Sequence, residues 1–232
     1  MDKNTQKKLL GLVDKNYEKI AEGFAETRGK PLWREITHLM DEIEEGSSLL
    51  DVGCGSGRLL RAFKNKEIKY LGVDSSQELI GIAKKEYPDQ RFLPGNILHL
   101  GELSEYDFDY VVSIAVIHHL PGEDLRVQAL KQLKNKIKPD GRIIITAWNL
   151  WSQKKYRKLI WKFFLLKLFG RNKMDFGDIL FDWRKDKDIF LSQRYYHAFT
   201  KAELKKIVKK AGLKIDEYKK DKYNYYLVLK KF

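Results

Sequence analysis

A glycine-rich turn that directly follows an apolar strand constrains this chain more than any other feature. The predicted strand Ser48–Val52 runs into Gly53, Gly55 and Gly57, and a helical segment begins at Arg58. Glycines in such a turn let the backbone bend tightly and let a ligand approach it closely, while the first helical N–H groups point toward that ligand. A strand, a glycine turn and a helix in this order predict the first βαβ unit of a parallel sheet.

The segments on either side of this turn fit the same interpretation. The first stretch, from about Thr5 to Glu44, reads as helices broken near Thr27–Pro31. Beyond the turn we predict alternating strands and helices, with strands at Tyr70–Val73, Phe92–Leu93, Tyr110–Ile114 and Arg142–Trp148 and helices at Gln77–Glu86 and Glu123–Lys136. This alternation is typical of a doubly wound, mostly parallel α/β sheet with helices on both faces.

The end of the chain departs from that alternation. A predicted helix at Lys201–Ala211 is followed by two strands, Leu213–Tyr218 and Asn224–Leu229, that are joined by a short charged turn. Because a turn this short cannot hold a crossover helix, the two strands must be antiparallel. We therefore predict one reversed strand late in the sheet and a helical insertion before the last helix.

An acid on the second strand completes a candidate ligand site. Asp74 ends that strand, 17 residues beyond Gly57, where a carboxylate can accept hydrogen bonds from both hydroxyls of a ribose. Dinucleotide sites favour the spacing G-x-G-x-x-G, whose third glycine permits close packing of helix and strand. Here the spacing is G-x-G-x-G and Asp51 precedes it.

This combination resembles the class I S-adenosylmethionine-dependent methyltransferases, a Rossmann-like family, over about residues 47–150 and 200–230. The resemblance implies that the turn lies under the methionine part of the cofactor, that Asp74 holds its ribose, and that Asn96 takes the place of the usual Asp beside the adenine. It predicts no metal ligand and nine cofactor-binding residues: Asp51, Gly53, Gly55, Gly57, Asp74, Ser75, Asn96, Ile97 and Ser113.

Segments outside the shared fold are similar to the tRNA methyltransferases that esterify carboxymethyluridine at the wobble position. The most specific are His118-His119-Leu120 and Arg194-Tyr195-Tyr196-His197, whereas Asp182 stands where that family's pattern has proline before Trp183. The resemblance implies tRNA as substrate and a small zinc-binding activator protein as a partner. It implies five catalytic residues: Arg28, His118, Arg194, Tyr195 and His197.

The charge of the chain is concentrated in its C-terminal third. Residues 1–149 hold 22 Lys and Arg against 23 Asp and Glu, whereas residues 150–232 hold 23 against 9. A basic lobe attached to a neutral one favours a polyanion as partner, although lysine can also serve only as a solubilising residue. The single cysteine, Cys54, excludes an internal disulfide, and we expect a cytoplasmic protein with no signal peptide or membrane span.

These patterns predict three parts: an N-terminal helical cap at 1–46, a methyltransferase core at 47–148 and 193–232, and a basic amphipathic insertion at 149–192. The segment Lys154–Phe169 can lie on an anionic membrane, or it can act as a lid that leaves its lysines for phosphates. The second interpretation agrees better with the charge distribution.

Two other functions remain open at this point. The first is a methyltransferase of a small molecule or a quinone, and the second is a non-catalytic RNA-binding subunit with the same fold. Several candidate residues also have purely structural interpretations: one of His118 and His119 as a turn cap, one of Tyr195 and Tyr196 as core, and Cys54 as a small filler.

Overall fold

The computed structural model of the chain describes residues 1–27, 32–184 and 190–232. Its main element is a seven-stranded sheet in the order β3-β2-β1-β4-β5-β9-β8. The strands are β1 Ser48–Val52, β2 Lys69–Asp74, β3 Arg91–Pro94, β4 Phe108–Ser113, β5 Ile137–Trp148, β8 Leu213–Lys220 and β9 Asn224–Lys231. The helices are α1 Lys3–Thr27, α2 Arg34–Asp41, α3 Gln77–Glu86, α4 Glu123–Lys134, α5 Lys154–Leu168 and α6 Lys201–Lys210.

The sheet is parallel from β3 to β5, and β9 runs antiparallel between β5 and β8. This confirms the predicted fold class, including the single reversed strand. The chain moves outward from β1 to β3 and then returns to place β4 beside β1. That reversal leaves a crevice beyond the carboxyl ends of β1 and β4, which is where open α/β sheets bind ligands.

Alternating apolar side chains give the sheet two buried faces. Leu50 and Val111 face one core together with Leu130 of α4, whereas Leu49 and Val112 face the other. The second core also contains Ile36, Leu39 and Met40 of α2 and Ile80 and Ala83 of α3. Helices thus cover both faces of the sheet, as period-two burial of parallel strands requires.

Two details differ from the sequence expectations. The segment after the glycine turn folds as a short 3₁₀ helix, Arg58–Phe63, and Pro139–Gly141 lies within β5, where the pairing with β4 shifts register, instead of forming a separate turn. In the first case the left-handed conformation of Gly57, at φ 76°, leads directly into the tighter helix.

The insertion contains a hairpin that sequence reasoning missed. After α5, strands β6 (Asp178–Arg184) and β7 (Phe190–His197) pair with each other as a separate antiparallel sheet. β7 crosses the predicted boundary after residue 192, and we propose to group the whole hairpin with the insertion. Within the three described ranges, no helix is both long enough and apolar enough to cross a bilayer.

Candidate active site

The glycine turn folds with its three glycines in the left-handed region, at φ values of 79°, 55° and 76° for Gly53, Gly55 and Gly57. A Cβ at Gly53 would lie 2.3 Å from Cγ2 of Val116, whereas a Cβ at Gly55 would have no atom within 4 Å. Gly53 is therefore required for packing against the loop after β4. Gly55 faces open space, where a ligand can approach the backbone.

Asp74 lies against this turn. The Gly55 N–H donates to Oδ2 of Asp74 at 2.8 Å, and the Ser76 N–H donates to Oδ1 at 2.9 Å. Burial raises the pKa of the Asp74 carboxyl, although the backbone hydrogen bonds lower it in part. The two elements on which the predicted cofactor site depends are thus in direct contact.

An open cavity lies between the turn, Asp74 and the loop after β4. α1 contributes Leu10, Val13, Asp14 and Tyr17 to its wall, and Trp33 and Arg58 also line it. The guanidinium carbon of Arg58 lies 5.3 Å from the centre of the Trp33 ring. The predicted cofactor residues on the wall are Asp51, Gly53, Gly55, Asp74, Ser75, Asn96 and Ile97.

Gly57 and Ser113, the other two predicted cofactor residues, do not line the cavity. A Cβ at Gly57 would lie 3.0 Å from ring atoms of Phe92 and Tyr87, so this glycine allows close packing. Ser113 is buried at the end of β4, and the cavity is instead lined by the three residues that follow it. One of these, Ala115, has φ 60° and donates its N–H to Oγ1 of Thr146 at 2.9 Å.

Asp51 places a second carboxyl in the same cavity. It is 2% exposed and accepts a hydrogen bond from the Tyr70 hydroxyl at 2.9 Å. Burial raises the pKa of Asp51 to about 7, the Tyr70 hydrogen bond lowers it, and the charge of Asp74 raises it further. The raised pKa of each of these two carboxyls makes this wall receptive to a ligand that carries positive charge.

The two histidines after β4 point in different directions. His118, a predicted catalytic residue, is fully buried; its ring lies 5.1 Å from Trp148 and 5.2 Å from Tyr196. His119 lines the cavity instead, and its Nε2 is 2.8 Å from the Tyr17 hydroxyl. The sequence shows two adjacent histidines but not which of them lines the cavity. Successive side chains of the short 3₁₀ turn point in different directions, so that His119 lines the cavity and His118 does not.

A smaller chamber adjoins the cavity. Its wall consists of Val13, Asn16, Tyr17, His119, Arg194, Tyr195 and Tyr196. Val13, Tyr17 and His119 also line the larger cavity, so the two spaces share one wall. Among the described residues of its wall, the chamber carries the guanidinium of Arg194 and the Tyr17 hydroxyl, which are groups that can contact an anion.

A buried network holds the segments behind this chamber. Oδ1 of Asp178 accepts from the Tyr195 hydroxyl at 2.8 Å and from Arg126 at 3.3 Å, and it lies 2.7 Å from Nδ1 of His197. Burial alone would raise the pKa of Asp178, but the His197 hydrogen bond and the charge of Arg126 outweigh it and hold that pKa below its usual value.

The predicted catalytic residues are therefore divided among three places. Arg194 and Tyr195 border the chamber, His118 and His197 are buried behind it, and Arg28 lies outside the described residues. Sequence reasoning assigned no individual role to Tyr17, Arg126 or Asp178, and it left open which of His118 and His119 contacts a ligand. Nothing in the local pattern of these residues distinguishes a ligand-facing side chain from a packed one.

The fold and this cavity define an enzyme of the Rossmann-like type that binds a nucleoside cofactor at the switch point of its sheet. Residues 24–218 match a family model described as a methyltransferase domain. The chain therefore belongs to the methyltransferase domain family, which confirms the class that the sequence resemblance implied.

Known proteins of this class resemble the chain over nearly its whole length. A tRNA (carboxymethyluridine(34)-5-O)-methyltransferase from Schizosaccharomyces pombe is 29% identical over 94% of this chain and 96% of its own. A solved SAM-dependent methyltransferase from Methanosarcina mazei has a TM-score of 0.71 at 21% identity, covering 88% of this chain and 99% of its own. A putative methyltransferase from Haloferax volcanii, solved in complex with the Trm112 methyltransferase activator, has a TM-score of 0.61 at 18% identity, covering 94% and 96%.

Proposed function

We propose that this methyltransferase uses S-adenosyl-L-methionine to methylate the carboxylate of carboxymethyluridine at the wobble position of tRNA. The observation that carries the proposal is the small chamber beside the cofactor cavity, because its wall brings Arg194, Tyr17 and His119 together. The similarity to the tRNA (carboxymethyluridine(34)-5-O)-methyltransferase of S. pombe supports this choice of substrate.

The cavity has the features that the cofactor requires. Asp74 would hold the ribose hydroxyls, and the open space beside Gly55 leaves room for a ligand against the turn. Asp51 offers a carboxylate to the cationic methionine part of the cofactor, and its own raised pKa falls once that charge is bound. Asn96 lines the wall on the adenine side that the resemblance implies, with its Oδ1 accepting from the Leu98 N–H at 2.9 Å.

The reaction needs alignment more than acid–base catalysis. The cofactor, held by the glycine turn and Asp74, would supply a methyl group attached to a positively charged sulfur. Transfer of that group to a substrate carboxylate would exchange the C–S bond for an O–C bond, so the carboxylate charge and the sulfonium charge would both be neutralised. Because a carboxylate is already ionised at pH 7, no general base is required.

The residues of the chamber would position that carboxylate. Arg194 can hold one oxygen through charge-assisted hydrogen bonds, which leaves the other oxygen free to attack. The hydrogen bond between Tyr17 and His119 fixes a polar pair in the wall that the two spaces share. We propose that Tyr195 acts within the chamber wall, that His197 and His118 position that wall from behind, and that Arg28 contributes a further cation, as the resemblance implies.

We propose tRNA and a small activator protein as partners. The excess of positive charge in residues 150–232 supports a polyanionic substrate. The complex of the H. volcanii methyltransferase with Trm112 supports an activator, since that protein shares this fold over most of both chains.

The deciding experiment is transfer of labelled methyl groups from S-adenosylmethionine into tRNA that carries free carboxymethyluridine, followed by nucleoside analysis. Reactions run with and without an activator of the Trm112 type, and tRNA lacking the carboxymethyl group is the control. We expect label only in the methyl ester of that nucleoside. Label in a small molecule or quinone fraction instead, or cofactor binding without transfer to any acceptor, would contradict the proposal.

A further inference from the structure

The solvent-facing side of α5 and the loop after it expose an unusual set of large side chains. Trp161 is 51% exposed, Leu165 50%, Phe169 77% and Phe176 39%. The opposite side of the helix is packed, because Ile160 is buried and Leu159 and Phe163 contact the core beneath the hairpin. We call Lys154, Lys158, Trp161, Lys162, Leu165, Phe169 and Phe176 the α5 surface.

Positive charge surrounds these aromatic groups. Between residues 149 and 174 the chain contains eight Lys and Arg and no Asp or Glu. Lys154, Lys158, Trp161 and Leu165 are spaced by four, three and four residues, which places them in one row along the same side of the helix. Lysines and an exposed indole therefore lie along one side of the helix.

The aromatic groups are held in a fixed arrangement. The ring centre of Trp161 lies 5.7 Å from that of Phe164 and 6.4 Å from that of Trp151, and Phe176 lies 5.1 Å from Phe164. The Trp151 indole donates to the Ala198 carbonyl at 3.0 Å, which anchors the group to the segment after β7. An exposed indole supported in this way needs little ordering before it stacks on a flat partner.

We infer that the α5 surface binds an unpaired segment of RNA, with phosphates on its lysines and bases stacked on Trp161 and Phe176. This inference rests on the proposed function and extends it to nucleotides outside the chamber. Rows of cations beside aromatic platforms are the arrangement that single-stranded nucleic acid selects. Trp161 of the α5 surface contacts Trp151, and Trp151 packs in the same apolar cluster as Tyr196. Because Tyr196 lines the chamber, this cluster connects the α5 surface to the chamber wall.

The arrangement does not suit a bilayer. A helix that lies in a membrane interface separates its basic face from its apolar face and buries the apolar one in lipid. Here the side of α5 that carries Leu159, Ile160 and Phe163 is packed on the protein, and the exposed apolar side chains lie beside the lysines of the helix. Phosphates together with flat bases match that mixture, whereas acyl chains do not.

The test measures the affinity of the full chain for an anticodon stem-loop RNA at several salt concentrations. Trp161→Ala combined with Phe176→Ala should weaken binding about a hundredfold, because each stacked base contributes about tenfold. Lys158→Ala combined with Lys162→Ala should make the negative slope of log affinity against log salt less steep by about 1.4. Leu168→Ala is the matched control, since Leu168 is 65% exposed on the same helix and carries neither charge nor ring.

A second readout separates this inference from the proposed function. Methylation of a carboxymethyluridine nucleoside, which has no flanking nucleotides, should be equal in the wild type and all three variants. If the wild type methylates tRNA but both double variants bind RNA as tightly as the wild type does, the inference is overturned and the proposed function stands. If the double variants bind RNA more weakly while the wild type methylates no tRNA, the proposed function fails and the RNA surface stands. Loss of binding only to vesicles of anionic phospholipid, or only of self-association in sedimentation, would also overturn the inference.

Discussion

The carboxyls that border the cofactor cavity and the carboxyl behind the small chamber have opposite environments. Asp51 and Asp74 border the open cavity, and burial raises the pKa of each. Asp178 is buried as well, but its pKa is lowered, because His197 and Arg126 lie against it. Hydrogen bonds offset the burial of Asp51 and Asp74 only in part, whereas the His197 hydrogen bond and the charge of Arg126 outweigh the burial of Asp178.

This difference separates a binding site from a structural support. Ionising a buried acid costs free energy when no cation offsets its burial, so such an acid favours a ligand that brings positive charge. A buried acid whose burial is already offset by a cation gains little from such a ligand. It fixes α4 and the hairpin strands β6 and β7 to each other instead.

The largest effect is expected when the buried network is broken. Asp178→Ala leaves the Arg126 charge without its acid in a buried site and should destabilise the protein by about 3–5 kcal/mol, measured by urea denaturation. Asp140→Ala, at an exposed position, is the control and should change stability little. If the two variants unfold at the same urea concentration, the network is not the support that we describe.

The next largest effect concerns the cofactor cavity. Asp74→Ala removes the carboxylate that would hold the ribose and should weaken S-adenosylmethionine binding about a hundredfold by calorimetry, since hydrogen bonds to a charged group contribute about 1.5–3 kcal/mol. The exposed Asp89→Ala is the control. Equal affinity in wild type and Asp74→Ala would show that this acid does not face the ligand.

The raised pKa of Asp51 predicts a pH dependence of binding. With a pKa of about 7, the carboxyl is largely neutral at pH 6 and ionised at pH 8, so a cationic cofactor should bind about tenfold more tightly at pH 8. Calorimetry in buffers of different ionisation enthalpy should detect release of a proton on binding at pH 6. Asp51→Asn should remove both effects, and a slope that survives in this variant must come from another group.

The same carboxyl affects the stability of the ligand-free protein with the opposite sign. Because the folded state keeps its proton up to about pH 7 while the unfolded chain loses it near 4, stability from this group falls as the pH rises between those values and is constant above them. The Asp51→Asn variant should lack that fall in urea denaturation measured from pH 5 to 8.

The smallest effect is expected in the wall that the cofactor cavity and the small chamber share. Tyr17→Phe removes the hydrogen bond to His119 and should lower methyl transfer about fivefold with little change in cofactor affinity, because one neutral hydrogen bond contributes about 1 kcal/mol. Tyr106→Phe is the control, as Tyr106 is 68% exposed. A loss of cofactor affinity in Tyr17→Phe would place this residue in the cofactor site instead.

Local sequence was sufficient to predict the backbone of the site. Strand β1 was predicted with the bounds that it has, and the glycine turn and the acid at the end of β2 were placed correctly. Such features depend on nearest neighbours: alternating burial defines a strand, and glycine adopts the left-handed conformations of the turn without steric cost.

Contacts between remote segments set which side chains meet. Arg126 and Asp178 are 52 residues apart, and the burial of His118 depends on Trp148, which lies on β5. The hairpin β6–β7 was missed although its pairing is local, because its strands belong to no repeating unit of the main sheet. Local sequence fixes where the backbone turns, whereas the packing of remote segments determines the direction in which each side chain points.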